Sequence, residues 1–572
     1  MEKITIKINS KIFSVEQEKT ILEVANENGI EIPTLCFHPD LETKHHCGMC
    51  VVEIAGEENL KHACATVVKE GMEIETESEN LFEERKKSLD KILKKHLLEC
   101  DDCVWLGHCK LLELTKKFEA KPIAEKKESN QVLQVGTMVF DQTKCIGCEN
   151  CLSVCPTGFL EMNDQAKVQC STDEKKDCIS CGQCILHCPV GAIEGVGEFE
   201  ELEKIFKDDK KITVVQFAPS IRTSIGEEFG METGKIVTGQ LVSALKKVGF
   251  DYVFDTATGA DFTTMEEAGE LIERLEKKEK LPAMTSCCPA WVKFLEFNYP
   301  EFIPNLCTSR SPQTMLGGIV KNYWGAKMNI DPQNIFVVSV MPCVAKKYEI
   351  KRPELEVDGV APVDMVLTTR ELARLLKKNK LDLKNIEKSQ ADDPLGLASG
   401  AGVIYGSSGG VFESALRTAY FKMIGKNLPE DAVKEIRGFY GIKTKEIEIE
   451  GKTIKVCVVS GIKNAKKVME QLKENPQLYD AVEVMACPGG CIAGGGQPVP
   501  TNKKIARKRS AGLYVIDREK KLRFAHENSA VKKVYEEFFK DAKIREQILH
   551  THFSAKGRTQ IKKIKNSKET NE

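Results

Sequence analysis

The chain has almost no net charge: 83 Lys and Arg against 85 Asp and Glu leave −2 at pH 7 over 572 residues. A main role on nucleic acid needs a basic excess to hold phosphates, and the balance argues against it. No apolar run reaches the roughly 18–20 residues that a membrane-spanning helix requires. The opening Met-Glu-Lys-Ile-Thr-Ile-Lys-Ile-Asn alternates like a strand and lacks a signal-peptide core, so a cytoplasmic location is expected. No GxGxxG fingerprint opens a βαβ unit, so a nicotinamide would have to bind a partner.

Cysteine is what the chain has in quantity. There are 23, an odd number that internal disulfides cannot use up. Most fall in tight groups, which suit metal or cluster ligation in a reducing compartment better than disulfides. The length implies roughly three to five domains.

Residues 1–78 read as a small β-rich domain. Ile4, Ile6 and Ile8 alternate, Asn9-Ser10 turns, and Ile12–Val15 returns as the hairpin partner. Thr20 caps a short helix ending at Gly29. Cys36, Cys47, Cys50 and Cys64 follow. One early Cys, a CxxC pair and a distant fourth suit a [2Fe–2S] cluster, with zinc as the alternative. The segment resembles a plant-type ferredoxin domain. Asn80–Leu98 then reads as a helix with Leu81, Phe82, Leu89, Ile92 and Leu93 as its stripe. It delivers His96, Cys100, Cys103 and Cys109. This is a set of four N/S donors that zinc or a [4Fe–4S] cluster accepts. This segment spans 79–118, and a charged connector occupies 119–137.

Residues 138–198 contain an internal repeat. Cys145, Cys148, Cys151 and Cys155-Pro recur as Cys178, Cys181, Cys184 and Cys188-Pro. In the bacterial two-cluster pattern the fourth Cys serves the other cluster. Cys145, Cys148, Cys151 and Cys188 would hold one [4Fe–4S], and Cys178, Cys181, Cys184 and Cys155 its neighbour. Cys170, between the halves, reads as structural.

From Phe199 the composition becomes that of an α/β domain, taken to run over 199–540. Strands are predicted at Ile212–Phe217, Tyr252–Phe254, Ile335–Val340, Met365–Thr368, Val403–Tyr405, Val456–Val459 and Ala481–Val484. Helices are predicted at Gly239–Val248, Thr264–Lys278 and Arg370–Leu376, a pattern of mostly parallel sheet with covering helices. Residues 541–572 read as a solvated basic tail. The expected fold class is multidomain α+β and α/β: a β-grasp ferredoxin-like domain, a His/Cys segment, a two-[4Fe–4S] domain and a large two-lobed α/β domain.

Three Cys loops in the last domain follow strand-like runs. They are Met284-Thr-Ser-Cys-Cys-Pro-Ala-Trp291, Met341-Pro-Cys-Val-Ala-Lys-Lys-Tyr-Glu349 and Glu483-Val-Met-Ala-Cys-Pro-Gly-Gly-Cys-Ile-Ala-Gly-Gly-Gly-Gln-Pro498. Ligands of open α/β sheets gather at the carboxyl ends of strands, so the three can converge on one centre. Together they resemble the [FeFe]-hydrogenase signature (TSCCPxW, MPCxxKxxE and ExMACxxGCxxGGGQP) at every fixed position. The resemblance implies reversible H2 chemistry at a [4Fe–4S] cluster linked to a diiron unit with CO, cyanide and azadithiolate. Cys288, Cys343, Cys487 and Cys491 would be the ligands, and Cys491 the bridge to the diiron unit. It also favours clusters over zinc at the N-terminal sites, giving one [2Fe–2S] and three accessory [4Fe–4S] clusters.

The same resemblance assigns Lys346 beside a cyanide, and Ser220 of Ala218-Pro219-Ser220 and Gln313 as further donors. Met341 and Met485 would pack around the diatomic ligands. It makes Cys287 the proton carrier, followed by Glu267, Glu270 and Arg274, which share one helical face. Where the family commonly has a Ser between the two glutamates, this chain has Cys307, a poorer donor. The implied partners are ferredoxin or flavodoxin, H2 and protons, and maturation proteins for the diiron unit, with a monomer or homodimer as the assembly. Two other readings stand beside this one: a catalytic subunit of an NADH-coupled bifurcating complex, and a non-catalytic iron–sulfur relative acting in sensing or assembly.

Overall fold

The computed structural model describes residues 3–94, 96, 100, 105, 107, 109–121, 132–429, 432–433, 436–438, 440–449 and 451–564. Cys103 of the predicted His/Cys set lies outside the described residues. The fold divides into two compact units. One comprises Met1–Asp173, His187–Glu194 and Gln560–Glu572; the other comprises Glu174–Leu186 and Gly195–Thr559. Among the described residues no helix is long and apolar enough to cross a membrane.

In the first unit the strands run in the order Lys11–Glu16, Lys3–Ile8, Glu73–Glu75, Val51–Ile54, Lys61–His62. The expected hairpin is present, with Ile4 opposite Val15 and Ile6 opposite Phe13. Asn9 and Ser10 both take positive φ (49° and 67°), the backbone that matches a two-residue turn to strand twist. Ile4, Ile6 and Ile8 are buried against helix Ile21–Glu27. Thr20 caps that helix in a capping box with Glu23.

Helix Glu79–Leu93 buries Leu81, Leu89, Ile92 and Leu93. Phe82, counted in that stripe, is only partly buried and lies 5.3 Å from the Phe118 ring. Arg85 takes its place inside, donating to the Val51 carbonyl at 2.7 Å.

The connector and the tail are corrected together. Val132–Val135, counted in the connector, is a strand, paired antiparallel with Met138–Asp141 on one side and Ile561–Ile564 on the other. Residues 541–564 are therefore not a loose tail. Helix Ala542–Leu549 buries Ile548 and Leu549, and Arg310 donates to the carbonyls of Gln547 and His550. Lysine-rich composition concealed the few apolar anchors.

The second unit carries two four-stranded sheets. One is wholly parallel, in the order Tyr252–Asp255, Ile212–Phe217, Ile335–Met341, Met365–Thr368. The other runs Ala283–Met284, Ala481–Met485, Lys452–Ser460, Gly441–Ile449, with only the last pair antiparallel. The central strand Ile335–Met341 is buried at every position, as a strand covered on both faces should be.

Several expectations shift here. Val403–Tyr405 is not a strand: Gly400–Ile404 is a helix capped by Ser399. A short apolar run does not distinguish the two by periodicity. A Cβ on Gly402 would meet the Ala257 carbonyl at 2.2 Å, so this is a close helix crossing that glycine permits. The helix predicted from Thr264 begins at Thr256 and ends at Lys277, capped by Asp255. Strand Gly441–Ile449 was not anticipated.

Segment Glu174–Leu186, assigned by sequence to the 138–198 domain, belongs to the second unit. Lys293 donates to the Cys178 carbonyl at 2.5 Å, Gln183 donates to the Ala493 carbonyl at 3.0 Å, and Thr559 bonds Asp177.

Candidate active site

Five strands of the second unit end at one place. Ile212–Phe217 runs into Ala218-Pro219-Ser220, Tyr252–Asp255 into Thr256, and Ile335–Met341 into Pro342-Cys343. Ala283–Met284 leads to Cys287-Cys288, and Ala481–Met485 to Cys487 and Cys491. These carboxyl ends line a cavity of about 80 Å³. All four predicted cysteines reach it, with Cys287, Lys346, Gln313, Met341, Met485 and Ala218-Pro219-Ser220. Thr256, Pro342, Tyr405 and Gly406 also line it; sequence reasoning missed them, since nothing in their spacing marks them.

The lining is almost wholly carbon and sulfur, and burial raises the proton affinity of all four thiols. Four thiolates facing one ammonium would be a costly charge cluster without a cation. As a donor set they fit iron–sulfur ligation. Gln313 offers a second sign of fit, since its Oε1 is buried without a hydrogen-bond partner among the described residues.

Lys346 is held by its neighbours. Its Nζ donates to Glu349 Oε2 at 2.9 Å and to the Cys287 carbonyl at 3.1 Å. Burial alone would lower its pKa, but Glu349, Cys287 and Cys343 more than offset this and the net shift is upward. Gln313 Nε2 donates to the same Glu349 oxygen at 2.6 Å. Glu349 thus fixes two groups of the cavity wall. Ser220 Oγ accepts from Gln497 Nε2 at 3.2 Å, and the same nitrogen reaches the Cys491 carbonyl. The glycines of the last loop permit close approach: a Cβ on Gly495 would stand 2.5 Å from Gly182 Cα and 2.6 Å from the Cys181 carbonyl. Cys181, a predicted ligand of the accessory cluster, is therefore packed directly against the Cys491 loop.

Behind Cys287 lies the acidic face of helix Thr256–Lys277. Glu267 is buried, accepts from Ser309 Oγ at 3.5 Å, and has an Oε2 with no hydrogen-bond partner among the described residues. Burial, then Glu270 and Glu483, push its pKa up to about 8. Glu483, whose carboxylate receives the amides of Gly409 and Phe412, is itself raised by burial to about 7. Glu270 accepts from Arg274 at 2.5 Å and from the Thr308 amide at 2.9 Å. Cys307 is buried near both glutamates, and burial and then Glu270 and Glu267 raise its pKa. Among the described residues its thiol bonds neither carboxylate. The hydroxyls that do are Ser309 on Glu267 and Thr308 on Glu270.

The N-terminal sets lie in the first unit. Cys36, Cys47, Cys50 and Cys64 are all buried, with the Cys50 and Cys64 sulfurs 3.2 Å apart. His96 Nδ1 meets the Lys144 carbonyl at 2.7 Å. A carbonyl only accepts, so Nδ1 carries a proton, which leaves Nε2 as the nitrogen that ligates when the ring is neutral. Cys100 and Cys109 are partly buried. Cys145, Cys148, Cys151 and Cys188 line one cavity of about 20 Å³. The Val168 and Ala192 amides donate to the sulfurs of Cys145 and Cys188, each at 3.3 Å. Cys155 lies in this unit, and Cys178, Cys181 and Cys184 in the second. Cys170, read as structural, is buried in a strand, and so is Cys457.

Comparison with known proteins agrees with this geometry. Residues 211–495 match the iron only hydrogenase large subunit, C-terminal domain, and 503–556 the iron hydrogenase small subunit. Residues 1–79 match a 2Fe-2S iron-sulfur cluster binding domain, and 144–192 a 4Fe-4S dicluster domain. Iron hydrogenase 1 of Clostridium pasteurianum is 39% identical over 94% of this chain and 96% of its own length. The NADP-reducing hydrogenase subunit HndD of Solidesulfovibrio fructosivorans is 37% identical over 97% and 99%. A solved variant of the [FeFe]-hydrogenase HydA1 from Chlamydomonas reinhardtii is 36% identical over 63% of this chain and 100% of its own, with a TM-score of 0.57. The chain belongs to the iron-only, or [FeFe], hydrogenases, and is an oxidoreductase of that type.

Proposed function

We propose that the chain interconverts two protons and two electrons with H2 at the cavity built by Cys288, Cys343, Cys487 and Cys491. The observation that carries this reading is the convergence of the three Cys loops on one apolar-lined cavity that also holds Lys346. Those four cysteines would hold the [4Fe–4S] cluster, and Cys491 would also serve as the ligand for the diiron unit. When bound, that unit supplies the open, redox-active coordination site where H2 is made or split.

The chain's own residues do the rest. Lys346, anchored by Glu349, presents an ammonium to an anionic ligand, while Met341 and Met485 close the wall against water. Cys287 holds a proton at its sulfur and exchanges it with Glu267, whose raised pKa suits a carrier near neutrality. Glu270, beside Arg274, connects Glu267 to the outside. The N-terminal Cys and His sets would hold the accessory clusters, which would supply the path for electrons, with ferredoxin or flavodoxin as the donor.

The test is infrared spectroscopy on anaerobically matured protein alongside H2 evolution. Bands of bound CO and cyanide with turnover are expected. Their absence in fully iron-loaded protein would overturn the assignment in favour of a non-catalytic relative. The similarity to HndD over nearly the whole chain favours a second reading, in which this polypeptide is the hydrogen-reacting subunit of a nicotinamide-linked complex. A flavoprotein co-purifying with it would support that reading.

A further inference from the structure

The C-terminal segment that composition marks as a tail brings a histidine to the outer end of the acidic helix face. His550 Nδ1 lies 2.9 Å from Thr308 Oγ1, which is itself 3.3 Å from Glu270 Oε2. His550 Nε2 faces Glu266 Oε2 at 3.1 Å. Glu266 is buried and also accepts from Arg545 and Tyr535. Burial opposes its charge, but these donors prevail and hold it at a pKa of about 2. A carboxylate only accepts, so His550 Nε2 always carries its proton. Nδ1 is the position whose proton comes and goes.

Thr308 has one hydroxyl proton and two acceptors competing for it. With His550 neutral, Nδ1 is a bare acceptor and takes the hydroxyl. With His550 protonated, Nδ1–H donates to Thr308 Oγ1, and the hydroxyl turns to Glu270. We propose that His550 is the positioning and proton-exchange residue at the outer end of the relay, acting on Glu270 through the Thr308 hydroxyl. Inward, the Nδ1–H bond breaks as Thr308 gains that proton. The former hydroxyl proton passes to the Glu270 carboxylate, and His550 is left neutral.

The groups facing His550 favour this exchange. Glu266 and Glu270 face it from helix Thr256–Lys277, and Arg545 and Glu546 from helix Ala542–Leu549. Arg310 donates to its carbonyl. Tyr535, from helix Ser529–Glu537, bonds Glu266, and Lys422, from helix Gly410–Ile424, donates to the neighbouring Met265 carbonyl. Burial lowers the proton affinity of His550, but the bond to Glu266, with Glu546 and Glu270 nearby, raises it above the ordinary imidazole value. His550 is 14% exposed and Glu270 15%, so the ring reaches solvent about as readily as the carboxylate and offers a second point of exchange at Nδ1.

This inference rests on the relay reading, and the experiment separates the two. H2 evolution against pH is measured on matured holoenzyme with infrared bands matched, for wild type and for His550→Gln, Thr308→Val, Thr308→Ser and Glu267→Gln. In wild type, turnover should fall as pH rises through a midpoint above that of free imidazole. His550→Gln and Thr308→Val should displace that midpoint, leaving the limb to Glu267 alone, and slow turnover roughly tenfold. That is less than the about 10²–10⁴-fold of a direct acid–base group, because the Thr308 amide still holds Glu270. Thr308→Ser should restore both. If His550→Gln does not fold, the Val and Ser variants at 308 carry the same test. Wild-type midpoints in the Gln and Val variants, with Glu267→Gln inactive, would overturn this inference alone. An active Glu267→Gln would overturn the relay, and this with it.

Discussion

Replacing Glu267 by Gln separates what this side chain does for turnover from what it does to stability, and the two effects should have opposite signs. The carboxyl is buried, one oxygen has no hydrogen-bond partner among the described residues, and its pKa stands at about 8 against 4.5 for an unperturbed Glu. Below pH 4.5 it is protonated in both folded and unfolded chains and contributes nothing to the difference. Between 4.5 and 8 the unfolded chain releases the proton and the folded one keeps it, so rising pH favours unfolding. The cost at pH 7 is about 3 kcal/mol, from 1.36 kcal/mol per unit. Gln has nearly the same shape and no proton to lose. The variant should therefore gain stability over wild type by under about 1 kcal/mol at pH 5, and by about 3 kcal/mol at pH 7. Its turnover should fall by about 10²–10⁴-fold, since Gln cannot carry the proton that the proposed relay passes through position 267. Anaerobic thermal unfolding across pH 5–8, paired with H2 evolution, reads both. A difference in midpoint that does not grow with pH would refute the raised pKa. Turnover within threefold of wild type would refute the relay.

Further outcomes follow from the same geometry. Cys287→Ala should keep cluster loading and infrared bands while turnover drops by about 10²-fold or more; loss of the cubane in electron paramagnetic resonance would exchange the roles of Cys287 and Cys288. Cys307→Ser should hold or raise turnover, a hydroxyl being the better donor between two carboxylates, and pH profiles identical for Ser, Ala and wild type would remove the position from the path. Gly495→Ala should destabilise by about 1–3 kcal/mol through forced overpacking, because both its neighbours are backbone atoms; an unchanged unfolding midpoint with full iron content would contradict the close approach. Fully matured protein should contain about 20 irons per chain, checked by anaerobic metal analysis, with stoichiometric zinc pointing instead to the His96 set.

The cavity was legible in the sequence because its cysteines come in local motifs, each at the end of an apolar run that became a strand. That the three loops converge followed from the rule that ligands gather at carboxyl ends; the choice of Cys288, Cys343, Cys487 and Cys491 as the ligand set came from the resemblance. The hydrogen-bond partners were not legible. Ser309 and Thr308 carry no spacing signal, and which hydroxyl meets which glutamate depends on how one loop crosses helix Thr256–Lys277. His550 is further still from Glu266 in sequence, and the lysines around it hid the two buried residues, Ile548 and Leu549, that dock its helix. Val403–Tyr405 failed for the opposite reason. Its composition was apolar enough for either element, and the choice fell to a helix crossing that Gly402 allows. Gly441–Ile449 alternates faintly, but its charged face obscured the pattern.

The pairing of Ile561–Ile564 with Val132–Val135 also bears on how the chain is made. Val132–Val135 emerges from the ribosome early, with one neighbour, Met138–Asp141, close behind it. Its other edge stays open until the last strand is synthesised. An open edge invites pairing with foreign strands, and closing so long a loop slows folding more than it weakens the product. The nascent first unit thus carries its exposed edge throughout synthesis of the second. When the edge is finally covered, it is by a strand carrying Lys562 and Lys563, and lysine on an outermost strand discourages any further addition.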